Sequence, residues 1–328
     1  MRFGMSINET YLVILFVLIV IAAVSTAYGQ WALKHAAWAE QINRIRIVNS
    51  RVRMLWWLIA ILAFAFWFNM FTLVLIFAVI SFFTLREFIA LTPTKPSDHI
   101  ALIVSFYIVI PLQYVLVWFD MDMLFTVMIP VYIFLLMPVI MTLQKDNELF
   151  FDRAAKIQWG LMLSVYCVSH APALMNFDVY RFNSTPSLLF LFFLLVTFLG
   201  DLFVVMMSAF LGGRQLFGNP HKTVKGLIVG GTIAVLCGYA SFWMTPFRSW
   251  QALLMSIVII VSGTMGDMVI AAVKRSIGSR FMDGEKYITR GTLERLAPLM
   301  FSAPVFYHIT NAFFQLHIFD EISNYFPF

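Results

Sequence analysis

Ten apolar runs, each roughly long enough to cross a bilayer as a helix, take up most of this chain. A membrane-spanning helix needs about 20 predominantly apolar residues, and it satisfies its own backbone hydrogen bonds. Apolar residues form 61% of the chain and charged residues 12%, whereas a soluble domain is typically about 25% charged. The runs lie at residues 10–28, 54–69, 70–85, 100–119, 122–142, 157–176, 187–210, 226–245, 251–272 and 298–316. The sequence therefore predicts an all-α polytopic membrane protein with about ten transmembrane helices.

The second and third runs join into one apolar stretch from Met54 to Leu85, which allows two interpretations. The stretch forms either a tight hairpin around Phe68-Asn69 or one long tilted helix. Basic residues decide between them, because cytoplasmic loops carry the excess of Lys and Arg. With a hairpin and an outside N terminus, 19 of the 22 Lys and Arg fall in the inside segments, which are 29–53, 86–99, 143–156, 211–225 and 273–297. The sequence therefore predicts two spans here and both termini outside, since a single helix would destroy this sorting.

This topology divides the chain into an N-terminal region of about six spans, residues 1–185, and a C-terminal region, residues 186–328, that carries the candidate site. The basic character of the chain follows from the inside loops and requires no nucleic-acid partner. Cys167 and Cys237 both fall within apolar segments, so neither a disulfide framework nor a zinc site is indicated.

Two Gly-Asp pairs, ending in Asp201 and Asp267, lie inside the seventh and ninth apolar runs. A carboxylate at bilayer depth costs roughly 3 kcal/mol or more, so it needs a partner, a metal or a water-filled cavity. One alternative is a purely structural hydrogen bond or salt bridge between helices. Two such pairs on spans of the same direction, each followed by a basic inner segment, favour a functional site. The glycine of each pair predicts close approach of a neighbouring backbone or ligand.

The segment after Asp201 is rich in turn-forming residues, and Lys222-Thr223 opens the next predicted helix. Backbone amides, a lysine and a hydroxyl at a helix N terminus suit a phosphate group. The alternative is an ordinary basic inner loop with helix caps. The order Gly-Lys-Ser/Thr of a nucleotide-binding P-loop is not present.

Two further pairs, Lys274-Arg275 and Glu294-Arg295, flank the last inner segment. Lys274 follows Asp267 by seven residues, about two helical turns, so the two lie near one face of a helix. Each pair also has a simple structural explanation, as a topological anchor or as a favourable charge at a helix start. The convergence of acids and bases on one cytoplasmic face favours a site for a phosphorylated, metal-bound substrate.

Other polar residues need less explanation. His170, in the sixth run, is interpreted as a packed or hydrogen-bonded helix residue rather than a ligand. Arg86-Glu87, at the end of the third run, is expected either to pair with inner-loop charges or to contact a lipid headgroup. The first inside segment contains a cluster of four arginines, Arg44, Arg46, Arg51 and Arg53. This cluster is interpreted as an inner-leaflet anchor for anionic lipid.

The C-terminal stretch resembles the signature of the phosphatidate cytidylyltransferases, the CDP-diacylglycerol synthases. An ungapped overlay matches the signature at Gly266-Asp267, Lys274-Arg275, Gly278, Gly291 and Leu293-Glu294-Arg295. The 27 residues from Asp267 to Glu294 equal the family spacing. Upstream, Gly200-Asp201 and residues 219–226 fall on the family's second Gly-Asp pattern. The resemblance covers most of the chain from about residue 50 and is to the longer bacterial branch of the family.

Several signature positions differ from the family. The changed residues are Asn219 for Ser, Lys225 for Glu, Phe281 for Asp, Arg290 within the Pro-Gly-His-Gly-Gly motif, Glu294 for Asp, and Ala297 and Pro298 for Asp and Ser. The framework and spacing are therefore retained while part of the acidic chemistry is replaced.

The resemblance implies an enzyme that transfers CMP from CTP to phosphatidic acid or a related lipid phosphate and releases pyrophosphate. It implies Mg²⁺ as the cofactor, held by Asp267 and Glu294, with Asp201 as a supporting catalytic acid. The implied phosphate-binding residues are Lys222, Thr223, Lys274, Arg275 and Arg295. Membrane lipids are the expected surroundings, no nucleic acid is expected, and a homodimer is left open. The expected location is the bacterial inner membrane, with the site facing the cytoplasm.

Two alternatives belong to other functional classes. The substituted acids are compatible with a catalytically impaired homologue that binds anionic lipid or a membrane partner without turnover. A transporter that uses Asp201 and Asp267 as a proton or substrate path is disfavoured, because the basic residues concentrate at one mouth only.

Overall fold

The computed structural model describes residues 7–67, 70–92, 94–144, 146, 148–177, 186–216, 219–278 and 291–315. Within these ranges the chain is almost entirely helical, apart from one two-stranded hairpin. The predicted all-α membrane architecture is confirmed.

Helical rods occupy ten stretches of the described chain, close to the ten predicted runs. They are α1 (Ile7–His35), α2 (Ala39–Trp67), α3 (Met70–Leu91), α4 (Pro96–Trp118), α5 (Asp122–Thr142), α6 (150–173), α7 (Pro186–Leu211), α8 (Val224–Ala240), α9 (Ser249–Gly278) and α10 (Thr292–Gln315). Strands β1 (Gln215–Leu216) and β2 (Asn219–Thr223) pair antiparallel between α7 and α8. Of the described helices, α1, α3, α4, α5, α7 and α9 are long and apolar enough to cross a membrane. The chain is thus an integral membrane protein, while the exact number of spans and the orientation stay predictions.

The middle rods are interrupted helices rather than ideal ones. Each of α4, α5 and α6 contains a π-helical turn, at Ser105–Val109, Met128–Ile133 and Met162–Cys167 respectively. Pro130 lies inside the second of these turns, where its missing N–H removes a donor from the helical ladder. Short 3₁₀ turns follow α6 at Leu174–Asn176 and α8 at Phe242–Met244.

The apolar stretch from Met54 to Leu85 is helical wherever the structure describes it. Helix α2 is described to Trp67 and α3 from Met70, so the predicted hairpin between them stays a prediction. The two hairpin residues themselves lie outside the described residues.

The first inner segment differs from its prediction, because it is helix rather than loop. Helix α1 continues to His35 and α2 already begins at Ala39. Apolar residues at Ile45, Val48 and Val52 recur every three to four positions, which gives the basic segment one apolar face. The polar half of α2 therefore packs as a helix, and its arginines project from a rigid element.

Helix α7 forms the centre of the bundle. In its apolar stretch 94% of the residues are buried, compared with 22% for α1, so α7 is central and α1 is peripheral. It packs against α2, α8, α9 and α10. Asp201 on α7 is consequently surrounded by protein on all sides. Because α2 belongs to the predicted N-terminal region and α7 to the predicted C-terminal region, the two regions are in contact. Their division at residue 186 stays a prediction.

Candidate active site

Asp201 and Asp267 converge on Lys222. The Lys222 ammonium donates to Oδ1 of Asp201 at 2.6 Å and to Oδ2 of Asp267. All three side chains are buried: the relative solvent exposure is 8% for Asp201, 3% for Asp267 and 2% for Lys222. The structure therefore brings together three of the residues that the sequence singled out, from α7, α9 and β2.

The chain brings Lys222 to this position by reversing direction after α7. Gly212 and Gly213 have φ angles of +59° and +106°, a region that side chains rarely allow. The hairpin of β1 and β2 then runs back beneath the helix. Thr223 ends it as the N-cap of α8, with its hydroxyl accepting from the Gly226 amide at 3.0 Å. The cap interpretation of Thr223 is confirmed, and its contact with a phosphate stays a prediction.

The predicted close approach of a neighbouring backbone is confirmed at Gly266, whereas Gly200 faces a side chain. A Cβ on Gly266 would meet the carbonyl oxygen of Ala297 on α10, and a Cβ on Gly200 would meet the side chain of Ile260 on α9. Any larger residue at Gly266 would push α9 away from α10. Gly266 thus sets the spacing of α9 and α10 beside Asp267.

Arg51 is a site residue that the sequence analysis missed. Its Nη1 lies 3.1 Å from Oδ2 of Asp201, and its side chain is buried. Asp267 and Glu294 also interact electrostatically with it. The interpretation of Arg51 as an inner-leaflet anchor is wrong, because the residue faces α7 rather than lipid headgroups.

A helical pattern in the sequence carried the missing signal. Arg44 and Arg51 lie seven residues apart, about two turns, on one face of α2. Arg44 donates to the carbonyl of Ala209 at 3.2 Å, eight residues beyond Asp201 on α7. The two helices therefore run antiparallel. Prediction of 29–53 as a loop hid this register.

The four charged side chains of the cluster, which we call the carboxylate cluster (Arg51, Asp201, Lys222 and Asp267), balance to zero formal charge. Two of its buried atoms make no hydrogen bond within the described chain. One is Nη1 of Arg51, which lies 3.1 Å from Oδ2 of Asp201 without hydrogen-bond geometry, and the other is on Asp267. Oδ1 of Asp267 is buried and has no hydrogen-bond donor within the described chain. A buried carboxylate oxygen without a partner costs about 1–3 kcal/mol or more, which is the signature of a site that expects a ligand.

A second ion pair joins Lys274 to Glu294 at 3.0 Å between α9 and α10. Glu87 at the end of α3 supports it by accepting from the Leu293 amide at 3.2 Å. The Glu87 carboxylate fills the space where a side chain on Gly291 would lie. Glu87 therefore binds a backbone amide at the start of α10 rather than one of the partners expected for it.

The remaining predicted phosphate ligands are placed differently. Arg275 is exposed, with its Nε donating to the carbonyl of Ala271 at 3.2 Å. Arg295 is half-buried in the first turns of α10. The substituted positions Phe281 and Arg290 lie outside the described residues. Phosphate binding by Lys274, Arg275 and Arg295 stays a prediction.

The described chain contains no group of three or more His, Cys, Asp or Glu side chains arranged to hold a metal ion. Asp267 nevertheless fits an oxygen-seeking cation, since one of its two oxygens is unpartnered. Magnesium often uses only one or two protein carboxylates and completes its shell with phosphates and water. Glu294 is engaged by Lys274, so a metal shared by Asp267 and Glu294 stays a prediction.

His170 is packed, as the sequence analysis favoured. Its ring is fully buried, with centroids 4.7 Å from Phe125 and 5.0 Å from Tyr307. Its Nδ1 lies 2.7 Å from the carbonyl of Tyr166.

Comparison with known proteins assigns the chain to a family. A sequence model of the cytidylyltransferase family matches residues 49–313. Uncharacterized protein YnbB of Escherichia coli (strain K12) is 30% identical over 306 residues, which cover 92% of this chain and 97% of that protein. A phosphatidate cytidylyltransferase of Aquifex aeolicus (strain VF5) is 28% identical over 141 residues, 42% of this chain and 53% of that protein. The matched region contains all four residues of the carboxylate cluster. The chain belongs to the cytidylyltransferase family.

Proposed function

We propose that this protein transfers CMP from CTP to a lipid phosphate, giving a CDP-lipid such as CDP-diacylglycerol and pyrophosphate. The observation that carries the proposal is the meeting of two buried Gly-Asp carboxylates on Lys222. Such a cluster has no need to exist for a membrane anchor, because it buries four charges that water would otherwise solvate. The family and the Aquifex relative support the reaction class.

The reaction requires little acid–base catalysis by the protein. An oxygen of the lipid phosphate is already ionised at neutral pH, and it forms a new bond to the α-phosphorus of CTP. The bond from that phosphorus to the β-phosphate bridge oxygen breaks, and pyrophosphate leaves with its electron pair. Catalysis then depends on positioning and on neutralising the charge of the triphosphate.

The residues of the carboxylate cluster take separate roles in this proposal. Lys222 exchanges one of its two carboxylate partners for a phosphate oxygen, since an ammonium has three donors. Arg51 remains on Asp201 and keeps that carboxylate charged and oriented. Asp267 would hold magnesium through its unpartnered oxygen, and a bound magnesium ion would supply further neutralisation of phosphate charge.

Lys274 and Arg295, near the start of α10, would receive the outer phosphates. Lys274 lies near the end of α9 and pairs with Glu294 in the first turn of α10. Arg275 points outward from the same helical turn, where it would meet the substrate as it approaches.

The test is CMP transfer by purified full-length protein with Mg²⁺, phosphatidic acid and labelled CTP. Labelled CDP-lipid should form with wild type and with Asp152→Asn, a control that changes an exposed carboxylate paired only with Lys156. Asp267→Asn should abolish the product. Absence of CTP binding and consumption by the wild-type protein would overturn the proposal.

A second candidate is supported by a different observation. The cavity beside Asp201 and Lys222 has a volume of only about 10 Å³, barely enough for one water, and the formal charges of the cluster already balance. This arrangement favours a homologue that binds lipid without turnover. In that case CTP would not displace Lys222, and phosphatidic acid would bind with equal affinity with and without CTP.

A further inference from the structure

A cavity of about 540 Å³ lies between α1, α2 and α7. This volume is in the range that holds a small organic ligand, about 300–1,000 Å³. Val52 and Leu202 line the cavity, and each directly follows a member of the carboxylate cluster, Arg51 and Asp201. The cavity and the cluster therefore occupy adjacent faces of the same two helices.

The cavity is built largely from the part of the chain that precedes the family match. Most of its α1 and α2 wall lies before residue 49, where the matched region begins. Gly29 allows Asn49 of α2 to approach α1 closely, and Trp56 donates to the Thr26 hydroxyl at 3.1 Å. These contacts hold α1 against α2 on one side of the cavity, while α7 closes the other.

The lining has an apolar part and a cationic end. Tyr28, Trp31 and Met206 contribute aromatic and flexible apolar surface. Arg44 is the formally charged residue among the described lining residues, and none of them is a carboxylate. Arg44 donates to the carbonyl of Ala209 at 3.2 Å, and the planar fork of a guanidinium matches phosphate geometry.

We propose that this cavity binds the lipid substrate, with one acyl chain against Tyr28, Trp31 and Met206 and the phosphate at Arg44. An apolar cleft with a cationic end complements an amphiphile whose head is anionic. The inference rests on the proposed function where it names this lipid as the substrate, held beside the carboxylate cluster before transfer. The occupant is a membrane lipid phosphate rather than a free nucleotide, because the larger part of the lining is apolar.

Phosphatidic acid with a photoactivatable group in its acyl chain provides the probe. Full-length protein in phosphatidylcholine nanodiscs is irradiated without CTP, and the labelled peptides are mapped by mass spectrometry. Labels should fall on residues 25–35 and 202–210. Labels confined to other helices would overturn the proposal.

Matched variants separate charge from shape. Arg44→Gln should weaken retention of phosphatidic acid about tenfold, the loss of one charge-assisted contact. Arg46→Gln, which removes an exposed arginine of α2 outside the lining, should leave retention unchanged. Ala32→Phe fills the cavity and should reduce labelling, whereas Val24→Phe places the same ring on the exposed face of α1. Equal losses in Arg44→Gln and Arg46→Gln would refute binding of the phosphate by Arg44.

Competition identifies what the cavity selects. Equal labelling by a phosphatidylcholine probe would contradict selection of an anionic head, and displacement by millimolar inorganic phosphate alone would contradict a lipid site. Specific labelling in a protein that transfers no CMP would refute the proposed function and support the cavity. CMP transfer that persists in Ala32→Phe, with labels elsewhere, would refute the cavity and leave the proposed function standing.

Discussion

The protein contains two buried ionic networks that differ in how completely their atoms are used. One is the carboxylate cluster between α2, α7, α9 and β2. The other, which we call the clamp, joins the start of α4 to the start of α6 and the segment before it, through Asp98, Arg153 and Asp146. In the clamp, Arg153 donates to Asp98 from Nε at 2.8 Å and also to Ser97 and to two backbone carbonyls.

The difference indicates different purposes. Asp98 is held by Arg153 and by the Lys95 amide at 2.9 Å, so the clamp leaves its buried charges satisfied. In the carboxylate cluster one lysine is shared by two acids and one oxygen of Asp267 has no described donor. A saturated network specifies a structure, whereas an incomplete one keeps capacity for a ligand. Predictions that separate the two follow from the largest expected effect to the smallest.

Arg153→Met should cause the largest loss of stability. Removal of one partner leaves Asp98 buried and uncompensated, which costs about 3–5 kcal/mol. The free energy of unfolding, measured by denaturant titration in detergent, reports it. Lys156→Met, which breaks an exposed pair one turn away, should cost less than about 1 kcal/mol. If both variants lose equal stability, the clamp is not a distinct element.

Asp267→Asn should instead remove activity at a smaller cost in stability than Arg153→Met, because Asp201 and the new amide oxygen still accept from Lys222. The amide keeps the shape of the side chain but loses the charge that would hold a cation, and loss of one preorganised electrostatic group lowers kcat about 10²–10³-fold. CMP transfer and thermal unfolding are measured on the same preparation. A variant that unfolds as readily as Arg153→Met would assign the cluster a structural purpose like that of the clamp.

Gly266→Ala tests whether the spacing of α9 and α10 supports the cluster. The added Cβ would meet the Ala297 carbonyl, and overpacking of this kind costs about 1–3 kcal/mol. Gly231→Ala is the control, because its Cβ would lie at an ordinary 3.5 Å from Ile260. Thermal unfolding distinguishes the two variants. Equal stability would show that α9 and α10 can move apart without loss of stability.

Substitution of Asp146, the most exposed member of the clamp, should have the smallest effect on stability. Hydrogen bonds from Ser97 and the Glu148 amide lower the pKa of Asp146. A lowered folded-state pKa stabilises the protein above the unfolded pKa, about 3.9, and this contribution is lost as pH falls through the folded-state value. Asp146→Asn should therefore lower the unfolding temperature slightly at pH 7. The difference from wild type should shrink in acid, and a difference that grows there would contradict the assignment.

Much of the fold was accessible from the sequence, because hydropathy and the distribution of basic residues respond to the bilayer directly. The long apolar helices α3, α4, α5, α7 and α9 are examples. The convergence of Asp201 and Asp267 was also expected, since both follow glycine on spans of one predicted direction. These features depend on local composition, because the bilayer requires apolar residues in every segment that spans it.

The missed part depends on helix packing, which hydropathy does not encode. Arg51 was assigned to lipid because residues 29–53 are polar enough to be a loop, yet packing against α7 makes them helix. The pairing of Lys274 with Glu294 spans 20 residues and depends on the crossing of α9 and α10. Lys222 enters the core only because the hairpin turns back after α7, a reversal that no single apolar pattern records.

The short hairpin that carries Lys222 gives the site a counter-ion that is covalently part of the chain. Dissolved cations exchange with the medium and are diluted away, whereas a tethered ammonium keeps a fixed local concentration. Because it is also buried, dissolved salt screens its attraction to the two carboxylates only weakly. Neutrality at this position is therefore independent of the ionic strength of the cell, and a substrate phosphate must compete with a partner that never diffuses away.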